Sequence, residues 1–221
     1  MKYNEILLAQ ILGPILTCST PSIVQAASVS DLFITEIMAN PSAVSDTDGE
    51  WFELFNPTHD SINLSGITIS DVAGNSSNNH IISSGSDLWI ESGDYFVLAR
   101  NDSPLSNGGF TADYAYSSFT LGNSSDQIIF SEGSNELLRL DYETGFVANG
   151  ASMELLSESM LASNYAASIS PYGDGDFGSP GAAGTYAFSV QTSAVPLPNA
   201  LWLFGSGLLG CIGVMRRKSV K

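Results

Sequence analysis

Between residues 32 and 156 the chain is written in short apolar or alternating runs, broken every few positions by Gly, Asn, Asp or Ser. No stretch there keeps a helical period over three turns. The runs at 32–38, 51–55, 62–70, 80–82, 94–98, 119–121, 127–130, 137–142 and 153–155 are predicted strands, because aromatic and β-branched residues suit a pleated, half-buried surface. Many short strands with turn signals at this spacing predict an antiparallel β-sandwich. Asn56-Pro57 ends one strand, since proline has no N–H for a central ladder. Asp48-Gly49 and Ser92-Gly93-Asp94 predict turns with positive backbone angles. After Ser157 the pattern thins to Ser, Ala, Gly and Pro, with Asp174-Gly175-Asp176 and Gly178-Ser179-Pro180-Gly181 as punctuation. The expectation there is a partly docked closing segment and then a flexible stalk, together 158–194.

Both ends have a different character. Behind Lys2 a mostly apolar run from Ile6 to Leu16 leads to small residues at Val24-Gln25-Ala26 and Ala27, the layout of a secretory leader over 1–27. Near the other end Val195-Pro196-Leu197-Pro198 precedes an apolar run from Ala200 to Met215, closed by Arg216-Arg217-Lys218. A bilayer core asks for about 20 apolar helical residues, which this run reaches only marginally. Its basic end would stay cytoplasmic, leaving the bulk of the protein outside. Cys18 and Cys211, the two cysteines, lie in these end segments. A processed chain would therefore hold no disulfide, and its stability would rest on packing.

Val195-Pro196-Leu197-Pro198, the Gly-spaced apolar segment Leu201-Trp202-Leu203-Phe204-Gly205-Ser206-Gly207 and the basic cluster Arg216-Arg217-Lys218, in that order, resemble the PEP-CTERM protein-sorting signal in its Val-Pro-Leu-Pro form over 195–221. The resemblance implies recognition by an exosortase, a membrane transpeptidase of Gram-negative bacteria that make extracellular polysaccharide. The departures are Pro-Leu-Pro for the commoner Pro-Glu-Pro, and Cys211 in an aliphatic position.

A second resemblance lies in the middle of the chain. Ile34-Thr35-Glu36-Ile37-Met38-Ala39-Asn40-Pro41, Asp48-Gly49-Glu50-Trp51-Phe52-Glu53-Leu54-Phe55-Asn56-Pro57 and Ile62-Asn63-Leu64-Ser65-Gly66-Ile67 look like the lamin-tail domain. Gly93-Asp94-Tyr95-Phe96-Val97-Leu98, Leu121-Gly122-Asn123 and Gly178-Ser179-Pro180-Gly181 follow in the family's order. The family implies an all-β, immunoglobulin-like antiparallel sandwich, here over 28–157, used in bacteria as an accessory module of secreted proteins. Ile67, Tyr165 and Ser152-Met153-Glu154-Leu155 depart from its pattern, the last lacking an Arg.

Charge narrows the partners. The whole chain carries −16. Between the two end segments only Arg100 and Arg139 face a large excess of Asp and Glu. Such a surface repels phosphate backbones, which excludes nucleic acid, and favours solubility over self-association.

Candidate chemistry is sparse. His59 and His80 belong to no nucleophile or zinc spacing, so no catalytic residue is expected. Glu50 and Glu53 fall on opposite faces of a regular strand and cannot serve one substrate as a carboxylate pair. Asp46, Asp48 and Glu50, alternating around Gly49, are the candidate calcium ligands, although the EF-hand pattern fails and turn formation is the competing reading. Trp51, Phe52, Phe55, Trp89, Tyr95 and Phe96 are expected in the core rather than on a sugar-binding face.

The sequence thus predicts an exported cell-surface or matrix protein with a structural, adhesive or binding role and no cofactor beyond possible calcium. Its partners would be signal peptidase, an exosortase-like enzyme, the inner membrane as a precursor, and extracellular polysaccharide. The alternatives are a secreted hydrolase of matrix polysaccharide or phosphate esters, and a permanently membrane-anchored binding module.

Overall fold

Phe52 and Leu54 alternate with Trp51 and Glu53, and all four side chains are buried. A strand with two covered faces must lie inside a sheet. In the computed structural model, which describes residues 26–72, 78–83 and 85–186, that strand is β2 (Trp51–Phe55). It lies between β1 (Phe33–Met38) and β7 (Tyr95–Ala99). With β11 (Met153–Leu155), β12 (Tyr165–Ala167) and β8 (Tyr114–Ala115) they build a six-stranded sheet ordered β12-β11-β1-β2-β7-β8, antiparallel except for β7 with β8. A second sheet runs β10-β9-β4-β5, from β10 (Asn135–Tyr142), β9 (Asp126–Glu132), β4 (Thr68–Ser70) and β5 (Asn79–Ile81). Two small pairs complete the fold: β3 (Ile62–Asn63) with β6 (Trp89–Ile90), and β13 (Pro171–Tyr172) with β14 (Asp176–Phe177). The single α-helical turn among the described residues is α1 (Asp46–Gly49).

The two large sheets share one core. Ile34, Ile37, Phe52, Leu54 and Leu98 of the six-stranded sheet meet Ile69, Ile128, Phe130 and Leu140 of the four-stranded one. The Phe52 ring stands edge-on to Phe130 at 6.0 Å and to Phe119 at 6.3 Å, a favoured aromatic geometry. On the opposite face of β2 and its neighbours, Met38, Trp51, Val97, Ala99 and Phe110 form a second cluster. There Trp51 Nε1 donates to the Tyr172 hydroxyl at 3.0 Å. The six-stranded sheet is thus covered on both sides, by the second sheet and by the chain that follows β12.

The predicted strands at 32–38, 51–55 and 153–155 appear within a residue of their predicted bounds. The predicted strand at 62–70 is instead two strands in different sheets: a turn closed by the Ile67 amide on the Leu64 carbonyl, with Gly66 at φ +84°, separates β3 from β4. Residues 119–121 are not a strand. Their side chains Phe119 and Leu121 are buried, but the Thr120 amide donates to the Asn78 side chain and the Leu121 amide to Glu50, leaving no backbone pairing. Asp48-Gly49 closes α1 and Gly49 does not take a positive φ. Its requirement is room, since a Cβ there would stand 2.5 Å from Val44 Cγ2. Gly93, by contrast, has φ +81° as the turn prediction requires. Beyond residue 157, where the pattern thins, β12 extends the six-stranded sheet and the chain stays hydrogen-bonded to that sheet as far as 186, although residues 181–186 are largely exposed.

Candidate functional site

Three glutamates lie side by side on the face of the six-stranded sheet turned away from the main core. The register sets Glu36 of β1 opposite Glu154 of β11 and opposite Glu53 of β2. A β-bulge produces this alignment. Between the pairs Ile34/Leu54 and Glu36/Glu53 the strand β1 carries one extra residue, Thr35, which moves Glu36 to the outer face while Ile34 and Ile37 both keep contact with the core. Like charges directly across a strand pair are destabilising, and these three side chains are buried, at 1%, 1% and 2% exposure. The arrangement therefore needs compensating partners.

Residues 178–186 supply them as a strap over the row. The Ser179 amide donates to Glu36 Oε1 at 2.8 Å and the Ser179 hydroxyl to Oε2 at 2.6 Å. The Gly181 amide donates to Glu53 Oε2 at 2.7 Å. The Tyr186 amide donates to Glu154 Oε2 at 3.2 Å and the Thr185 hydroxyl to Oε1 at 3.3 Å. From below, the Ser152 hydroxyl donates to Glu36 and the Thr35 hydroxyl to Glu53 Oε1 at 2.7 Å. The strap visits the middle strand, moves over β2 and doubles back to β11. Two of its glycines permit the approach: a Cβ on Gly178 would stand 2.9 Å from Glu36 Oε1, and one on Gly184 2.5 Å from Glu154 Oε2. A cavity of about 10 Å³, lined by the three glutamates with Thr35, Tyr95, Leu155 and Gly184, is at the lower limit for one water.

Desolvation dominates the electrostatics. Burial raises the Glu36 carboxyl to about 7 against the lowering effect of its Ser152 and Ser179 bonds. Burial raises Glu53 to about 8, with the neighbouring Glu36 charge adding to the rise and the Thr35 and Gly181 bonds opposing it. Among the described residues no Lys or Arg contacts the row. Of the two arginines in the described part of the chain, Arg100 lies 3.6 Å from Glu50 and Arg139 is held by Glu136 and Asp141.

The carboxylates proposed for calcium have separate partners. Asp46 Oδ2 accepts from the Asn123 amide group at 2.8 Å and Asp48 Oδ2 from the Ser45 hydroxyl at 2.8 Å. Glu50 turns inward, accepting from the Leu121 amide at 3.2 Å beside Arg100; burial raises it to about 7 despite both favourable partners. Among the described residues no group of three or more His, Cys, Asp or Glu is arranged to hold a metal ion, and the alternating acids accept from separate donors. Asp176 of the Asp174-Gly175-Asp176 turn is likewise engaged, accepting from the Ser42 hydroxyl at 2.6 Å and from the Ser42 and Ala43 amides. Glu50 and Glu53 have unrelated partners, as strand alternation requires.

His59 is exposed. His80 is part-buried: Nε2 bonds the Tyr114 hydroxyl at 2.7 Å while Nδ1 accepts from the Ser117 amide at 3.2 Å, and burial lowers its pKa. The accepting Nδ1 puts the ring proton on Nε2, so His80 braces β5 against β8. Of the six aromatics, Trp51, Phe52 and Phe96 are buried, Phe55 and Tyr95 pair at 4.6 Å between ring centroids, and Trp89 is 47% exposed.

A buried sandwich core and a Gly-Ser-Pro-Gly closing segment bound to strand glutamates agree with the resemblance in the middle of the chain. Residues 25–144 match the sequence profile of the Lamin Tail Domain. The chain belongs to the Lamin Tail Domain family. Its β11, β12 and strap lie C-terminal to the matched residues, yet they hold one edge of the same sheet. Residues 194–218 match the PEP-CTERM protein-sorting motif, which implies processing by an exosortase and export through the membrane to a cell-surface or extracellular destination. No curated protein and no solved structure matches the chain significantly. The predicted sorting residues Val195, Pro196, Leu197, Pro198, Arg216, Arg217 and Lys218 all fall inside the matched motif; they, the apolar run and the predicted leader lie outside the described residues. Among the described residues no helix is long and apolar enough to cross a membrane.

The glutamate row is absent from the sequence expectations. Its signal is present nonetheless: Thr35-Glu36-Ile37, Phe52-Glu53-Leu54 and Met153-Glu154-Leu155 each set one glutamate inside an otherwise apolar or aromatic strand. A carboxylate so placed is buried with partners or faces away from the core.

Proposed function

We propose that this lamin-tail protein is a non-catalytic surface or matrix module, exported under a leader over 1–27 and delivered by exosortase processing at its C-terminal end. Its sandwich is immunoglobulin-like, and its role is structural, adhesive or binding. The match of 194–218 to the PEP-CTERM motif carries the reading. The fold supports it. Its polar groups are spent on holding loops and strap in place: Asn56 ties residues 58–60 to β6, Asn107 bonds Asn101 and Phe110, and the glutamates hold the strap. In this reading 195–221 comprises the recognition box, a membrane helix and a basic cytoplasmic end, while 187–194 connects them to the folded part. The polysaccharide made by bacteria that carry exosortases is the proposed environment. Intact-mass measurement of protein recovered from the cell surface tests the reading. Cleavage near Val195–Pro198 leaves a chain lacking everything from Ala200 onward, whereas a surface chain ending at Lys221 refutes the processing.

A further inference from the structure

The three strap-bound glutamates have a feature that the sorting reading does not use. Among the described residues every hydrogen-bond partner of the row is neutral. Strap amides reach all three carboxyls; hydroxyls of Ser152, Ser179 and Thr35 reach Glu36 and Glu53, and the Thr185 hydroxyl reaches Glu154. The other titratable groups around it are Tyr95 on β7, whose pKa is raised by burial and by Glu53, and Tyr172 on β13, raised by burial with Asp176 and Glu36 adding to it. Asp176 on β14 is turned to Ser42 and Ala43. Among the described residues no Lys, Arg or His bonds the row.

Hydroxyls are what make two protonation states compatible with one geometry. A neutral carboxyl can donate its proton to the Ser179, Ser152 or Thr35 oxygen and still accept a strap N–H on its other oxygen, because a hydroxyl both donates and accepts. Glu36 and Glu53 ionised together must instead hold neighbouring negative charges out of water, which is costly without paired cations. The segment whose departure would admit water is the strap. It contributes no strand to either large sheet.

We propose that residues 178–186 form a proton-operated latch over Glu36, Glu53 and Glu154, seated while Glu36 and Glu53 retain protons and released as both ionise. Burial moves Glu36 and Glu53 into the neutral to mildly alkaline range, where release is placed. The latch is a property of the folded domain and holds whether or not the C-terminal motif is processed.

Hydrogen exchange of the full-length chain in mild detergent, corrected for intrinsic exchange rates, tests this. Protection of peptides covering 178–186 falls by at least about tenfold between about pH 6 and about pH 8.5. Peptides covering the β9–β10 hairpin change by less than about threefold over that range. In the double variant Glu36→Gln/Glu53→Gln, whose side chains keep an acceptor oxygen but no titrating proton, strap protection becomes independent of pH. Flat strap protection in the unaltered chain, a pH response that survives in the double variant, or loss of protection shared equally by the hairpin overturns the proposal. Should the double variant not fold, side-chain carboxyl ¹³C shifts of the unaltered protein decide: both glutamates titrate together with the loss of strap protection, and midpoints in the ordinary carboxylate range overturn it.

Discussion

Buried carboxylates normally make a protein fail in acid; this one should fail first toward base. Glu36, Glu50 and Glu53 have folded-state values of about 7, 7 and 8 against an ordinary value of 4.5, and burial also raises Asp126. Where folded pKa values exceed unfolded ones, the native state binds more protons. The unfolding free energy then declines as pH rises from the unfolded value to the folded one. Each extra proton bound by the native state is worth about 1.4 kcal/mol per pH unit. Three glutamates set a ceiling of about 4 kcal/mol per pH unit near pH 6, and a slope of at least about one proton is expected. His80, whose lowered pKa favours the neutral ring in the fold, works in the opposite sense, its contribution to stability being lost as pH falls. It is one group against four. The assay is urea unfolding of the full-length chain between about pH 5 and about pH 8, read by tryptophan fluorescence, for which buried Trp51 provides the signal. Glu53→Gln should flatten the slope by about one proton. A stability that is level or increasing from about pH 5 to about pH 7 would refute the burial argument.

Two further outcomes follow from packing. Phe52→Ala removes a ring that contacts Tyr116, Phe119 and Phe130 at the centre of the sandwich and should lower the unfolding free energy by about 3–5 kcal/mol in the same urea experiment. Gly49→Ala forces a methyl to within 2.5 Å of Val44 Cγ2 and 2.9 Å of Pro41 Cγ; a loss of about 1–3 kcal/mol is expected, and adding Val44→Ala should restore part of it. Equal stability of Gly49→Ala and the unaltered chain would refute the close-packing role of that glycine.

The strands that set the domain's centre were legible because their residues obey simple rules. Trp51 to Phe55 is a continuous apolar run with one acid, and Asn56-Pro57 stops it where the Asn56 side chain begins to hold the next loop. What alternation cannot show is a change of parity. Read with a strict period of two, Ile34 and Glu36 share a face, and only the extra residue at Thr35 separates them; the bulge depends on pairing with β2, which is not a property of β1 alone. The same limit hid the use of 119–121, whose backbone donors go to Asn78 and Glu50. A partly docked closing segment is predicted by the sequence, but the partners of 178–186, three acids far away in sequence, are not. The candidate calcium ligands show the converse relation. Spacing placed Asp46, Asp48 and Glu50 near one another along the chain, but a single helical turn and the inward aim of Glu50 gave each a different hydrogen-bond donor.

The path of the strap also has a mechanical meaning. Tension applied from the C-terminal side reaches the Glu154 clasp first, then the Glu53 clasp, then the Glu36 clasp, because the chain order of the donors is Ser179, Gly181, Tyr186. The clasps therefore peel singly instead of sharing the load, as parallel rows of bonds in a sheared β-ladder do. Straightening nine residues at about 3.3–3.6 Å each pays out up to about 30 Å of line before β14 is loaded. A domain tethered at that end yields length before it yields fold.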